Sequence, residues 1–162
     1  MRLIAAISIA ALAAASVALA GSSHLVTQKS IGNGKLGQSR SAYKKAYGKS
    51  KSVENLEGGL TRLNYARHVA VYFATGKNSG RYIVTSDASF KTTKGVGPCS
   101  KAAAVKSAYP SSAKVSLAGG EYAYRLGSKL WFEIESNKVA AVALGVDKQA
   151  AWIAANTLAC GS

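Results

Sequence analysis

Two histidines, two cysteines and one close pair of glutamates are the first candidates for chemistry in this chain. Glu133 and Glu135 stand two apart in Lys129-Leu130-Trp131-Phe132-Glu133-Ile134-Glu135. The alternation predicts a strand with Leu130, Phe132 and Ile134 on one face and Trp131 beside both carboxylates on the other. Two carboxylates next to an aromatic ring could cleave a glycosidic bond or hold a cation. The same pattern also describes the solvated face of an amphipathic strand, which is the plainer reading. His24 falls in a polar lead. His68 opens a second alternating run, in which it and Tyr72 point away from Val69, Val71 and Phe73. Neither histidine has a partner at ligand spacing, so no metal site is expected. Cys99 with His68 would imitate a thiol-protease pair. No Gly-x-Ser-x-Gly elbow, phosphate loop or dinucleotide fingerprint occurs. The chain reads as a non-enzyme without a cofactor, with a small hydrolase as the third-ranked class.

The elements that would position these residues begin after an export signal. Arg2 is followed by an Ala/Leu/Ile/Val run over 3–19, and Ala18-Leu19-Ala20 puts small residues where a signal peptidase needs them. Cleavage near Ala20 places the protein outside the cytoplasm, secreted or associated with the envelope. A retained anchor is the alternative, and no later segment is apolar enough to span a bilayer. In that compartment Cys99 and Cys160 most economically form one disulfide, closing a loop of about 60 residues worth about 4 kcal/mol in the chain-entropy model. Two free buried thiols, or one reactive thiol, are the competing readings.

The 162 residues carry 21 Lys and Arg against 7 Asp and Glu, a formal charge of +14. Between 29 and 51 stand Lys29, Lys35, Arg40, Lys44, Lys45, Lys49 and Lys51 without one acidic residue. Such a field attracts polyanions and is weakened by salt. Lysine predominates over arginine, which suits diffuse attraction better than bidentate recognition of phosphates or bases. Tyr82, Tyr122 and Tyr124 lie on basic strands, as on single-stranded nucleic acid platforms. No recognised motif surrounds them, so no specific nucleic acid partner is expected.

One pattern occurs twice along the chain. Leu36-Gly37 precedes a helix over 40–47 led by Ser39 and stopped by Gly48. Val96-Gly97 precedes a helix over 101–109 led by Ser100 and stopped by Pro110. Ala42, Tyr43, Ala46 and Tyr47 match Ala104, Val105, Ala108 and Tyr109 at a constant shift. Strands are predicted over 60–66, 68–74 and 80–85, then over 121–126, 129–135 and 138–144. Ser136-Asn137 reads as a two-residue turn. The predicted organisation is a signal peptide (1–20), a flexible lead (21–30), a first αβ repeat (31–90), a second (91–146) and a C-terminal helix and tail (147–162). The fold class is α+β. Two tandem helix-plus-antiparallel-strand repeats form one layered sheet with helices on one face, and the other face is left open.

Leu36-Gly37-x-Ser39-Arg40 leading to Tyr47-Gly48, with Leu130-Trp131-Phe132 in a late strand, resembles the tandem architecture of the secreted β-lactamase inhibitor protein and of BamE-type envelope proteins. Gly95-Val96-Gly97-Pro98-Cys99-Ser100, then Val105 and Ala108-Tyr109-Pro110, resembles small exported bacterial proteins of unknown function. The resemblance spans about 31–145 and rests on turns, caps and stops. Cys99 stands where that last group tends to have Gly, and the chain lacks the lipid-attachment Cys of BamE-type proteins. No residues match the loops with which the inhibitor contacts its enzyme.

The function expected from these readings is an exported cationic binding protein of the envelope or extracellular space. Its partner would be an anionic envelope polymer or an extracellular protein, met by the basic front half and by the open sheet face of His68, Tyr72, Trp131 and Glu133. The alternative is a proteinaceous inhibitor of an extracellular enzyme using the same face.

Overall fold

The computed structural model describes residues 24–156 and Cys160. The expected export signal over 1–20 lies outside the described residues. Among those described, no helix is long and apolar enough to cross a membrane.

The architecture is mixed α+β and mostly sheet. Strands β1 (Leu25–Val26), β2 (Ser30–Ile31) and β3 (Gly34–Lys35) precede helix α1 (Arg40–Tyr47). A meander follows: β4 (Ser52–Leu56), β5 (Leu60–Asn64), β6 (Val69–Ala74) and β7 (Gly80–Thr85). After β8 (Lys91–Thr92) come α2 (Ala102–Ala108), then β9 (Ala113–Ser116), β10 (Tyr122–Leu126), β11 (Leu130–Glu135), β12 (Lys138–Leu144) and the closing helix α3 (Gln149–Ala155). The two meanders make one sheet in the order β4-β5-β6-β7-β12-β11-β10-β9, joined where β12 pairs antiparallel with β7. A second, small sheet has the order β3-β2-β1-β8.

Local chemistry accounts for most boundaries. Ser39 caps α1 by accepting a hydrogen bond from the Ala42 N–H at 3.3 Å, and Gly48 ends it at φ 88°. Ser136 and Asn137 adopt φ 47° and 61°, the left-handed pair that a tight hairpin needs. Ser100, by contrast, does not cap α2: its hydroxyl accepts from the Gly97 N–H at 3.1 Å. Two of the strands predicted from the sequence are longer than those observed by one or two residues at the β5–β6 turn. Edge strands β4 and β9 have no buried position, so no hydrophobic alternation announces them. The flexible lead also needs correction. Its Leu25 and Val26 form β1 and its Ser30 enters β2, and Val26 is buried in the core.

The alternation of the strands feeds two cores on opposite sheet faces. On one, Val69, Val71 and Phe73 of β6 and Leu130, Phe132 and Ile134 of β11 pack with Tyr43 of α1, Val105 of α2 and Val26 and Ile31 of the small sheet. On the other, Tyr72, Tyr82 and Trp131 pack with Ala150, Ala151, Ile153 and Ala154 of α3. The open face expected from the sequence is therefore occupied by the C-terminal helix α3, while α1 and α2 share the opposite side. Small side chains explain the close seat of α3. Its alanines meet Ala70, Ala141 and Ala143 of the sheet. At Gly145 an added Cβ would lie 2.5 Å from a Tyr82 ring carbon and 2.6 Å from the Ala150 Cβ.

Candidate functional site

The four residues expected to share an open contact face do not form one. Tyr72, Trp131 and Glu133 are 2%, 1% and 1% exposed, sealed by α3 and its flanking residues. Trp131 spends its indole N–H on the Gly145 carbonyl at 2.9 Å. One carboxylate oxygen of Glu133, Oε2, is buried without a hydrogen-bond partner. Burial, then repulsion from Glu135 and Glu121, pushes the Glu133 carboxyl up to about 7. Glu135 is exposed, so the suggested carboxylate pair is split between core and solvent. His68 alone remains exposed.

His68 belongs to a different constellation, at the end of the sheet where β5 turns into β6. Tyr65 closes that turn by donating its N–H to the Val69 carbonyl at 2.8 Å. Within it Arg67 and His68 take φ 57° and 47°, which leaves both side chains on the outside of the bend. A cleft of about 410 Å³ opens beside them, lined by Lys51, Arg62, Asn64, His68 and Asn156. Lys51 is brought there by its N–H, which donates to the Asn64 carbonyl at 2.7 Å. Arg62 faces Glu54 in the β4–β5 register and forms an ion pair with it. Burial pulls the Arg62 guanidinium down, and Tyr72 and Glu54 outweigh that, holding it above its ordinary range.

Two further clefts adjoin this one. The first, about 310 Å³, shares Tyr65 and is lined by Arg40, Lys44 and Lys49. The second, about 210 Å³, shares Val69 and is lined by His24 and Arg67, whose side chains hydrogen-bond to each other. Asp87 is the nearby acid. Its burial works to raise its pKa, but hydrogen bonds from Ser89 and the neighbouring Arg67 and His68 hold the carboxyl below its usual range.

Of the basic residues singled out in the sequence, Arg40, Lys44, Lys49 and Lys51 thus line contiguous clefts, whereas Lys29, Lys35 and Lys45 line none of the three. Arg62 and Arg67 were missed, because they lie outside the acid-free run of 29–51. Arg62 stands at a period-two position of its strand, so alternation could have placed it opposite Leu63. The arrangement offers cationic and N–H donor groups in concave surfaces and brings no nucleophile together with a base. No group of three or more His, Cys, Asp or Glu that could hold a metal occurs among the described residues.

Cys99 and Cys160 lie together. Their side chains are thiols within hydrogen-bonding reach of one another, and burial, then the Cys160 thiol, pushes the Cys99 thiol up. Cys99 has φ 65°, a left-handed conformation that favours glycine.

No family model matches the chain, and no curated protein matches it. Among solved structures it is similar to an extracellular protein containing a SCP domain from Bacillus anthracis str. Ames, at 11% identity and a TM-score of 0.49. The match covers 70% of this chain and 45% of that one, so the chain spans less than half the length of the protein it matches.

Proposed function

We propose that this chain is an exported, non-enzymatic protein that binds anionic polymers of the cell envelope through the basic clefts around the β5–β6 turn. The observation that carries the reading is the convergence there of Arg40, Lys44, Lys49, Lys51, Arg62 and Arg67, drawn from α1, the following loop, β5 and its turn. Glu54 neutralises Arg62, and the remaining cations exceed the single nearby Asp87. Long-range attraction from the +14 chain brings the polymer in, and the clefts hold its charged groups. Arg2, the apolar run after it and Ala18-Leu19-Ala20 support export. In an oxidising compartment the adjacent thiols of Cys99 and Cys160 close a disulfide.

Two further lines support a duplicated αβ unit, related to the tandem architecture named above. Each of α1 and α2 leads into a four-stranded meander, and the strand order reads alike from both edges of the sheet.

Co-sedimentation of the chain with isolated cell walls tests the functional reading. Binding is expected to fall steeply between about 0.05 and about 0.5 M salt, as counterion competition requires. Binding that ignores salt would reject it.

A further inference from the structure

We infer that the cleft between Lys51, Arg62, His68 and Asn156 is a seat for one tetrahedral oxyanion, a phosphate group, and not for a carboxylate. The inference rests on reading the basic end as an anion-binding surface, and it names the group bound at one place on that surface.

Four separate pieces of chain deliver donors to this cleft. Lys51 precedes β4, Arg62 lies on β5, His68 is in the turn, and Asn156 ends α3. No carboxylate lines it. What is already spent decides the ligand. Asn64 gives its amide hydrogens to Ser52 Oγ at 2.8 Å and Glu54 Oε1 at 2.5 Å. Asn156 gives one to the Trp152 carbonyl at 2.8 Å and keeps the other. Arg62 has its Nη2 on Glu54, while its Nε is buried and has no partner.

A carboxylate is recognised best by two parallel N–H groups of one guanidinium, lying in its plane. Glu54 holds the Arg62 Nη2 and the neighbouring Nε is buried, so the Nε–Nη2 fork is not open to a ligand. The donors left over are single groups approaching from different elements: the Lys51 ammonium, the His68 ring and the remaining Asn156 amide hydrogen. Four acceptor oxygens pointing to the corners of a tetrahedron meet donors dispersed in three dimensions more fully than two coplanar oxygens do. At about 410 Å³ the cleft falls within the range of small-molecule sites and leaves space for the group that the phosphate esterifies. The same chemistry could come from free phosphate or from the phosphodiester of a wall polymer.

Titration of the chain lacking residues 1–20 with inorganic phosphate, with acetate at equal ionic strength as control, tests the seat by NMR. Phosphate should bind saturably and shift the His68 ring and Asn156 amide signals, whereas acetate should not. Lys51→Gln and His68→Gln should each weaken phosphate binding several-fold, and Lys129→Gln, exposed in the β10–β11 turn, should leave it unchanged. A glycerol-phosphate oligomer that binds more tightly than inorganic phosphate identifies the polymer as the source, and equal affinity per phosphate identifies the free ion. Acetate and phosphate acting alike, or Lys129→Gln weakening phosphate as much as Lys51→Gln, would overturn the seat. Wall binding that survives that result leaves the polyanion reading standing. Saturable phosphate binding without wall binding would reject the polyanion reading instead.

Discussion

Trp131 on β11 and Gly145, just past the end of β12, are joined by a 2.9 Å hydrogen bond from the indole N–H to the glycine carbonyl, at the point where the chain turns into α3. The bond fixes the largest buried side chain to the start of the helix that covers it. Trp131 is therefore part of the core and not of a contact surface. Replacing it with Ala should cost about 3–5 kcal/mol, and Trp131→Phe less. Urea unfolding measures the loss. Wall binding by the folded Phe variant should be unchanged.

Glu133 gives the fold a pH dependence. Its carboxyl is raised from an ordinary 4.5 to about 7 by burial and by Glu135 and Glu121. A raised carboxyl contributes stability that is complete below about pH 4.5 and is lost as pH rises through about 7, because the folded state must then hold a buried charge. The shift corresponds to a loss on the order of 3 kcal/mol. Glu133→Gln should remove this loss, stabilising the protein at pH 8 relative to the parent and much less at pH 5. Parallel slopes for parent and variant across that range would contradict the assignment.

Gly80 faces the Tyr43 hydroxyl so closely that an added Cβ would lie 2.3 Å from it. That hydroxyl donates to the Lys35 carbonyl at 2.6 Å, which ties α1 to β3. Gly80→Ala should break this contact and cost about 1–3 kcal/mol by overpacking. Tyr43→Phe, which removes only the hydroxyl, should cost less than the glycine variant in the same denaturation assay.

The strands that carry the core were legible from their alternation. Val69, Val71 and Phe73, like Leu130, Phe132 and Ile134, point where their spacing says. The fate of the opposite face was not. Trp131 and Glu133 look like an exposed stripe because period-two alternation separates two faces without saying what covers either. The missing information lay in Ala150, Ala151 and Ala154, whose small side chains let α3 settle on the alanines of β6 and β12. The candidate site was half-legible. The acid-free run supplied Arg40, Lys44, Lys49 and Lys51, but Arg62 and Arg67 reach them only through the β5–β6 turn.

The proposed Cys99–Cys160 bridge would close a loop of about 60 residues, worth about 4 kcal/mol in the chain-entropy model. If the pair is sealed on export as proposed, protein recovered from outside the cell should gain two hydrogens in mass on reduction and unfold at lower urea once reduced. An intact mass that reductant leaves unchanged would remove the bridge.

Charge reversal at the clefts tests the central claim most directly. Lys44→Glu, Lys49→Glu and Lys51→Glu combined should abolish retention on a phosphate-containing wall polymer at about 0.1 M salt, a strength at which the Debye length is about 10 Å. Lys77→Glu, Lys129→Glu and Lys148→Glu combined change the net charge equally at exposed sites outside the three clefts, and should leave most of the retention intact. Equal loss in the two triple variants would mean that net charge alone binds the polymer and that the clefts have no special part.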